Sequence, residues 1–533
     1  MNGWASAAFT AGRPQNNLAT APSLYRAMAL LRGLTMLSRR ALLLSAAAAS
    51  ALAPTRARSQ AESSRPHGGN EPQTVLRLHR RGIEVNGKPA SVYGIQQPGG
   101  AFGIRTEVGT RFRVRVENRI DEPSLIHWHG LTPPWQQDGV PGISGPPIPP
   151  GGSTDYDFPL RFGGTYWMHS HQGLQEQLLM SAPLIIRDQR DRPDQQEIVL
   201  MLADFSFTPP EQIFAELKKG GKMSSMAAPM TGNSPSAAAP PKMKGMGPPG
   251  SAMPAGMATG AAAKPDLNDV TYDAFLANDR TLGDPDVVKV EPGGRVLLRV
   301  INSSSMSAFH VDLGQLNGEL IAVDGFRVAS VVARRFPIAV AQRLDIRLAI
   351  PRAPAAHPVL AVLEGENKQT GIVLQAGRAQ VARIPDTASM ASPALNLDLE
   401  SRLRALKPLR PRRADRAHTL DLTGEMGGYI WSINNVVWNK DVAPLPLAKG
   451  ERVELIFVNR TPMPHPMHLH GHEFQVVEID GKRFAGAVRD TVLVPPGRRV
   501  VVAFDANNPG FWALHCHLLY HLEAGMFTTL RYV

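Results

Sequence analysis

A chain of 533 residues with a single cysteine, Cys516, has no internal disulfide to hold it together. The apolar stretch after Arg40 is too short and alanine-rich for a membrane span. Few segments carry a long helical period, which excludes a helix bundle. Aromatic residues make up only 6%, and the formal net charge is +11. A nucleic-acid partner would call for a basic face with aromatics or a recognisable binding motif. Neither is present.

What is abundant is punctuation: 46 prolines and 48 glycines, signs of many turns and of β-structure. The length suits three or four domains. Residues 1–61 read as a leader. From Met36, itself a candidate start, "MLSRRALLLSAAAASALAPTRA" has a basic opening with Arg39 and Arg40. A short apolar run and small residues follow, with cleavage after Ala53 or Ala61. This resembles a twin-arginine export signal, so the expected location is the periplasm, without stable membrane insertion.

Beyond residue 74 the texture is short alternating strands separated by Gly, Pro and Asn. One pattern recurs: "VGTRFRVRVENR", "PGGRVLLRVINS" and "KGERVELIFVNR". An internal repeat of a β-sandwich domain follows, giving an all-β chain. The expected domains are 74–192, 193–395 and 418–533. A basic linker, 396–417, precedes the third; its run "SRLRALKPLRPRRADR" reads as exposed chain or as a dock for an acidic partner or lipid. The second domain is interrupted at 216–265 by a low-complexity stretch. There Met223, Met226, Met230, Met243, Met246, Met253 and Met257 sit among Gly, Pro, Ala and Lys. Two readings stand: a flexible insertion, or a soft thioether surface for Cu(I).

The chain has 16 histidines. Four short stretches hold His127 and His129; His169 and His171; His465, His468 and His470; and His515, His517 and His521. Along a strand, residues i and i+2 share a face. The pairs 127/129, 169/171, 468/470 and 515/517 therefore offer eight imidazoles, enough for three metal ions. Cys516 and His465 fall on the other parity and join His521, with Met526 in reach. Two imidazoles, a thiolate and a weak axial thioether are the ligands of a blue copper centre. A metal would also explain a lone thiol. Met526 remains open between ligand and core residue. His472 follows the cluster closely and reads as a neighbour of the ligands or a surface residue.

"IHWHGLTPPWQQDGVPG", "GTYWMHSHQGLQEQLL", "HPMHLHGHEF" and "HCHLLYHLEAGMF" resemble the multicopper oxidases, the laccase-like family. Among these they look most like the exported copper-resistance oxidases of the CopA type. The resemblance implies three cupredoxin-like Greek-key sandwiches and four copper ions: one type 1, one type 2 and two type 3. His465, Cys516, His521 and Met526 would hold type 1. His127 and His468 would hold type 2. His129, His169 and His517 would hold one type 3 ion, and His171, His470 and His515 the other. Cys516 would also carry electrons from the type 1 site. O2 is the implied oxidant. The donor is expected to be Cu(I), with a periplasmic copper carrier as a partner in copper tolerance; the alternative is a laccase acting on phenols and aromatic amines. Asp138 reads as a turn aspartate from its setting and as a proton relay from the resemblance. Glu523 is open between a relay and a surface carboxylate.

Overall fold

The computed structural model describes residues 73–188, 191, 194–220 and 267–533. The leader and the seven methionines from Met223 to Met257 lie outside the described residues.

Three cupredoxin-like sandwiches follow one another, each a pair of sheets. The first pairs the sheet Lys88–Gln96, Thr74–Val85, Arg111–Asn118, Ser153–Pro159 with the sheet Ile104–Glu107, Ser181–Arg187, Gly164–Ser170, Ile126–His129. The second is built on Gln196–Phe205, Arg295–Asn302 and Arg343–Ala349, facing Gln369–Ala376, Ala355–Leu363 and Phe309–Asp312. The third sets Arg416–Glu425, Arg452–Asn459 and Arg499–Asp505 against Phe527–Tyr532, Phe511–Cys516 and His465–Leu469. Among the described residues no helix is long and apolar enough to cross a membrane.

The recurring sequence pattern is one strand used three times. Arg111–Asn118, Arg295–Asn302 and Arg452–Asn459 each pair in parallel with the first strand of their sheet and antiparallel with the next. Alternating apolar residues place Val114, Leu298 and Leu455 in the core. The closing asparagine does the same work each time. The Oδ1 atoms of Asn118, Asn302 and Asn459 accept the backbone N–H two residues on, at 3.1, 3.2 and 2.8 Å. Their Nδ2 atoms reach across to carbonyls of the facing layer: Ile148 at 2.8 Å, Ile338 at 3.5 Å and Val494 at 2.9 Å. Each is buried. The amide thus turns the chain out of one sheet and aims it at the other. In the first and third sandwiches the next strand carries histidines, Ile126–His129 and His465–Leu469. In the second it is Phe309–Asp312, where His310 donates to the Pro393 carbonyl instead.

One segment differs from the sequence reading and another gains detail. The basic run at 402–416 is exposed at most positions but held in place. Leu403 is buried, Arg412 and Arg416 pair with Asp505 and Glu451, and Arg416 opens a strand. These pairs tie the run to the third sandwich, while the backbone of Arg404 and Leu406 bonds to Ala329 and Arg327 of the second. The stretch read as low-complexity from 216 begins inside the helix Pro210–Lys218, which Pro210 starts and whose buried Ile213 and Leu217 anchor it.

Replacing Asn459 by Ala strips buried carbonyls of their donor and should cost about 1–3 kcal/mol. Asn302→Ala should cost a similar amount. Urea titration of both variants checks this; unchanged midpoints would refute the role of the amides.

Candidate metal centre

Strand register sorts the donors. In the first sandwich His127 lies directly across from His169. In the third, His468 lies across from His515 and Met467 from Cys516. Directly opposed residues share a face, and neighbours along a strand do not. His468 and His515 therefore face one way. Cys516 faces the other, with Met467 and, two residues before it, His465.

The first group converges. The Nε2 atoms of His127 and His468 are 3.4 Å apart. His515 Nε2 lies 3.3 Å from His171 Nε2 and 2.9 Å from His470 Nε2. The His517 ring centroid lies 5.0 Å from those of both His129 and His169. Seven of these eight side chains are buried and His171 is partly exposed.

Six of the eight outer nitrogens are occupied. Nδ1 of His127, His468 and His515 donates to the carbonyls of Asp138, Asp490 and Cys516 at 2.8–2.9 Å. His470 Nδ1 donates to Asp138 Oδ2 at 2.7 Å, and His169 Nδ1 lies 2.8 Å from Glu176 Oε2. His129 is turned the other way, with Nε2 donating to Asp490 Oδ1 at 3.0 Å. In a neutral imidazole the other nitrogen is then a lone pair. His129 Nδ1, His169 Nε2 and His517 Nε2 are buried with no hydrogen-bond partner. His470 and His515 present lone pair to lone pair at 2.9 Å. That is unfavourable unless a cation sits between, so the residues fit a metal cluster.

Electrostatics agree. Burial, with like-charge repulsion from neighbouring imidazoles, holds His129, His169, His171, His468, His470 and His517 well below the usual histidine range. Burial lowers His515 to about 3. Neutral imidazole is the form that binds metal.

The second group lies behind Cys516. Its Sγ is 3.6 Å from His465 Nδ1 and 3.9 Å from His521 Nδ1, and the two nitrogens are 3.2 Å apart. Their outer Nε2 atoms donate to Thr461 Oγ1 at 2.6 Å and Asp269 Oδ2 at 2.9 Å. Again the lone pairs point at one another. Burial pushes the Cys516 thiol up, which a bound cation would reverse. Met526 is buried; its carbonyl accepts from Cys516 N and its N–H donates to His521 O.

Asp138 is buried between the groups' neighbours, with Oδ2 on His470 and Oδ1 3.4 Å from His127 Nδ1. Gly139, at φ +87°, makes this approach: a Cβ there would meet the Ile126 carbonyl at 1.9 Å. Glu523 ends the helix Leu519–Glu523, is exposed, and lines a cavity of about 580 Å³ that reaches His171. His472 is buried, its Nδ1 on the His470 carbonyl and its Nε2 on Tyr532 Oη.

Sequence reasoning missed Glu176, Asp269, Thr461 and Asp490. Thr461 and Glu176 lie four and seven residues from the imidazoles they meet but fit no metal-ligand spacing; Asp269 and Asp490 are brought to His521 and His129 by the fold alone.

On unfolding, these imidazoles regain a pKa near 6.5 and take up protons that the folded copper-free protein refuses. Their folded pKa values are depressed, so the stability they carry is present above about pH 6.5 and is lost as pH falls. Denaturant titrations of copper-free protein from pH 7.5 down to pH 4.5 should show this decline; a flat profile would refute the assignment of neutral rings.

Comparison with known proteins agrees. Family models described as multicopper oxidase match residues 79–191, 197–377 and 412–533. The chain is 31% identical over 499 residues to multicopper oxidase MmcO of Mycobacterium tuberculosis, spanning 91% of this chain and 92% of that one. It is 28% identical to a copper resistance protein A homolog of Pseudomonas syringae pv. tomato, spanning 87% and 93%. The fold superposes on a multi-copper oxidase structure from Pseudomonas thermotolerans with a TM-score of 0.63 and 21% identity, over 86% and 99% of the two chains. With two convergent donor sets in sandwiches of this kind, the chain belongs to the multicopper oxidases and is an enzyme of that class.

Proposed function

We propose that this protein oxidises Cu(I) in the periplasm and reduces O2 to water, contributing to copper tolerance. Four copper ions would be held: type 1 by His465, Cys516, His521 and Met526; type 2 by His127 and His468; type 3 by His129, His169 and His517 on one side and His171, His470 and His515 on the other. Bound copper supplies one-electron oxidation at the first site and four-electron reduction of O2 at the cluster. The chain does the rest. Cys516 is covalently continuous with His515 and His517, so a few backbone bonds join the two donor sets. The outer hydrogen bonds fix most of the rings, so little reorganisation accompanies a change of charge.

The observation that carries the donor is Asp269. It binds the outer nitrogen of His521 and accepts from Tyr429 Oη at 2.6 Å, while its Oδ1 is buried without a partner. Asp269 stands two residues past the start of the described segment at 267. On the other flank, Phe214 stacks on Tyr520 at 5.9 Å. The described chain on either side of the seven methionines, at Phe214 and Asp269, thus meets residues at or next to the type 1 donors. Thioethers suit a soft cuprous ion, and the buried Asp269 carboxylate would balance its charge. An export signal and the likeness to copper resistance protein A support the same reading.

Laccase activity is the second reading, because Asp269 would also accept a hydrogen bond from a phenol, Tyr429 stands beside it and the Phe214 ring packs on Tyr429. Oxygen uptake separates the two. Deleting 223–257 should lower Cu(I) turnover about tenfold or more and phenol turnover less. A selective loss of phenol turnover would favour the laccase.

Asp138, which holds His470 and lies beside His127, is assigned as the proton relay; Glu523, at the cavity leading to His171, is the more distant candidate. Asp138→Asn should slow steady-state oxygen uptake about 10²-fold and leave the blue absorption intact. Unchanged uptake at normal copper loading would refute it.

A further inference from the structure

We propose that Arg343 and Asp490 form a positioning pair that selects which nitrogen His129 presents to the cluster. The proposal rests on the three-copper reading of the eight imidazoles. The second sandwich holds none of these histidines, yet Arg343, at the start of its strand Arg343–Ala349, is fully buried. Every N–H of its guanidinium is used. Nε donates to the Thr165 carbonyl of the first sandwich, and Nη1 and Nη2 to the Ala341 and Asp324 carbonyls. The remaining two bind the Asp490 carboxylate of the third sandwich side by side, Nη1 at 2.8 Å from Oδ1 and Nη2 on Oδ2. One planar fork therefore ties together strands of all three sandwiches.

Asp490 then reaches two rings. Oδ1 accepts from His129 Nε2, and the backbone carbonyl accepts from His468 Nδ1. Thr491 Oγ1 donates to the same Oδ1 at 2.9 Å. His129 is left with Nδ1 buried, unpartnered and turned to the other rings, whereas its neighbour His127 has Nδ1 committed to Asp138 and presents Nε2. The two histidines of one His-X-His pair are thus oriented oppositely, and Asp490 makes the difference. His129, His468 and Asp490 are close enough to hold a metal themselves. Arg343 argues against it: both carboxylate oxygens already face its positive charge, and a cation there would meet the guanidinium.

The glycine of "HWHG" fits the same device. Gly130 has φ +87°, and a Cβ on it would lie 2.6 Å from both Arg343 Nη2 and Asp490 Oδ2. The chain leaves His129 through the only residue that admits the pair so closely.

The test uses copper-loaded Asp490→Asn and Arg343→Lys beside the parent. Asn keeps the shape of the carboxylate but loses its charge; Lys keeps the charge but loses the fork. Both should bind cluster copper about 10- to 100-fold more weakly, read by chelator competition and by loss of type 3 absorption. The blue absorption should stay close to the parent's, while the melting temperature of the copper-free form should fall in both variants because a buried ion pair is broken. Full cluster occupancy with parent-like type 3 absorption in both variants would overturn the proposal. So would loss of the blue absorption together with the cluster in both, since the pair would then serve folding in general. A parent that binds no cluster copper at all would instead overturn the three-copper reading.

Discussion

The hydrogen-bonded register between His465–Leu469 and Phe511–Cys516 is the constraint on which the site depends. It sets His468 against His515 and Met467 against Cys516. Because side chains alternate across a strand, this one alignment sends imidazoles to one face and the thiol to the other. A slip of one residue would exchange the faces and mix the two donor sets. The register is pinned from both sides: Thr491–Val494 pairs along the outer edge, and Phe527–Tyr532 along the inner. Upstream, Asn459 fixes where the strand begins.

Orientation is the second requirement, and it comes from outside the motifs. Each ring needs its outer nitrogen held so that the inner one offers a lone pair. Backbone carbonyls do this for His127, His468 and His515; carboxylates do it for His129, His169, His470 and His521. The second sandwich takes part without contributing any of the cluster histidines. Asp269 holds His521, and Arg343 holds Asp490, so a domain whose donor strand carries Phe309 and His310 still orients rings at both centres.

Much of this was legible in the sequence because its rule is local. Four His-X-His pairs and Cys516 obey a period of two, and a period needs no tertiary knowledge. The repeated strand ending in Asn118, Asn302 and Asn459 was visible for the same reason, although the bridge made by each amide was not. Asp269, Glu176, Arg343 and Asp490 carried no local signal. Asp490 is 361 residues from His129, and Asp269 is 252 from His521. Nothing in a window of sequence distinguishes them from aspartates that cap turns. The basic run at 402–416 is exposed at most positions, but the burial of Leu403 and the partners Asp505 and Glu451 are set by packing that charge density does not show.

The central claim is that opposed lone pairs, held by outer hydrogen bonds, define two separate copper-binding groups. Anomalous diffraction at the copper edge from crystals of the loaded protein tests it most directly. The account expects one peak bonded to Cys516, His465 and His521 and three among the eight imidazoles, with His129 bound through Nδ1. Peaks spread over other residues, or a His129 bound through Nε2 with Asp490 as a ligand, would contradict it.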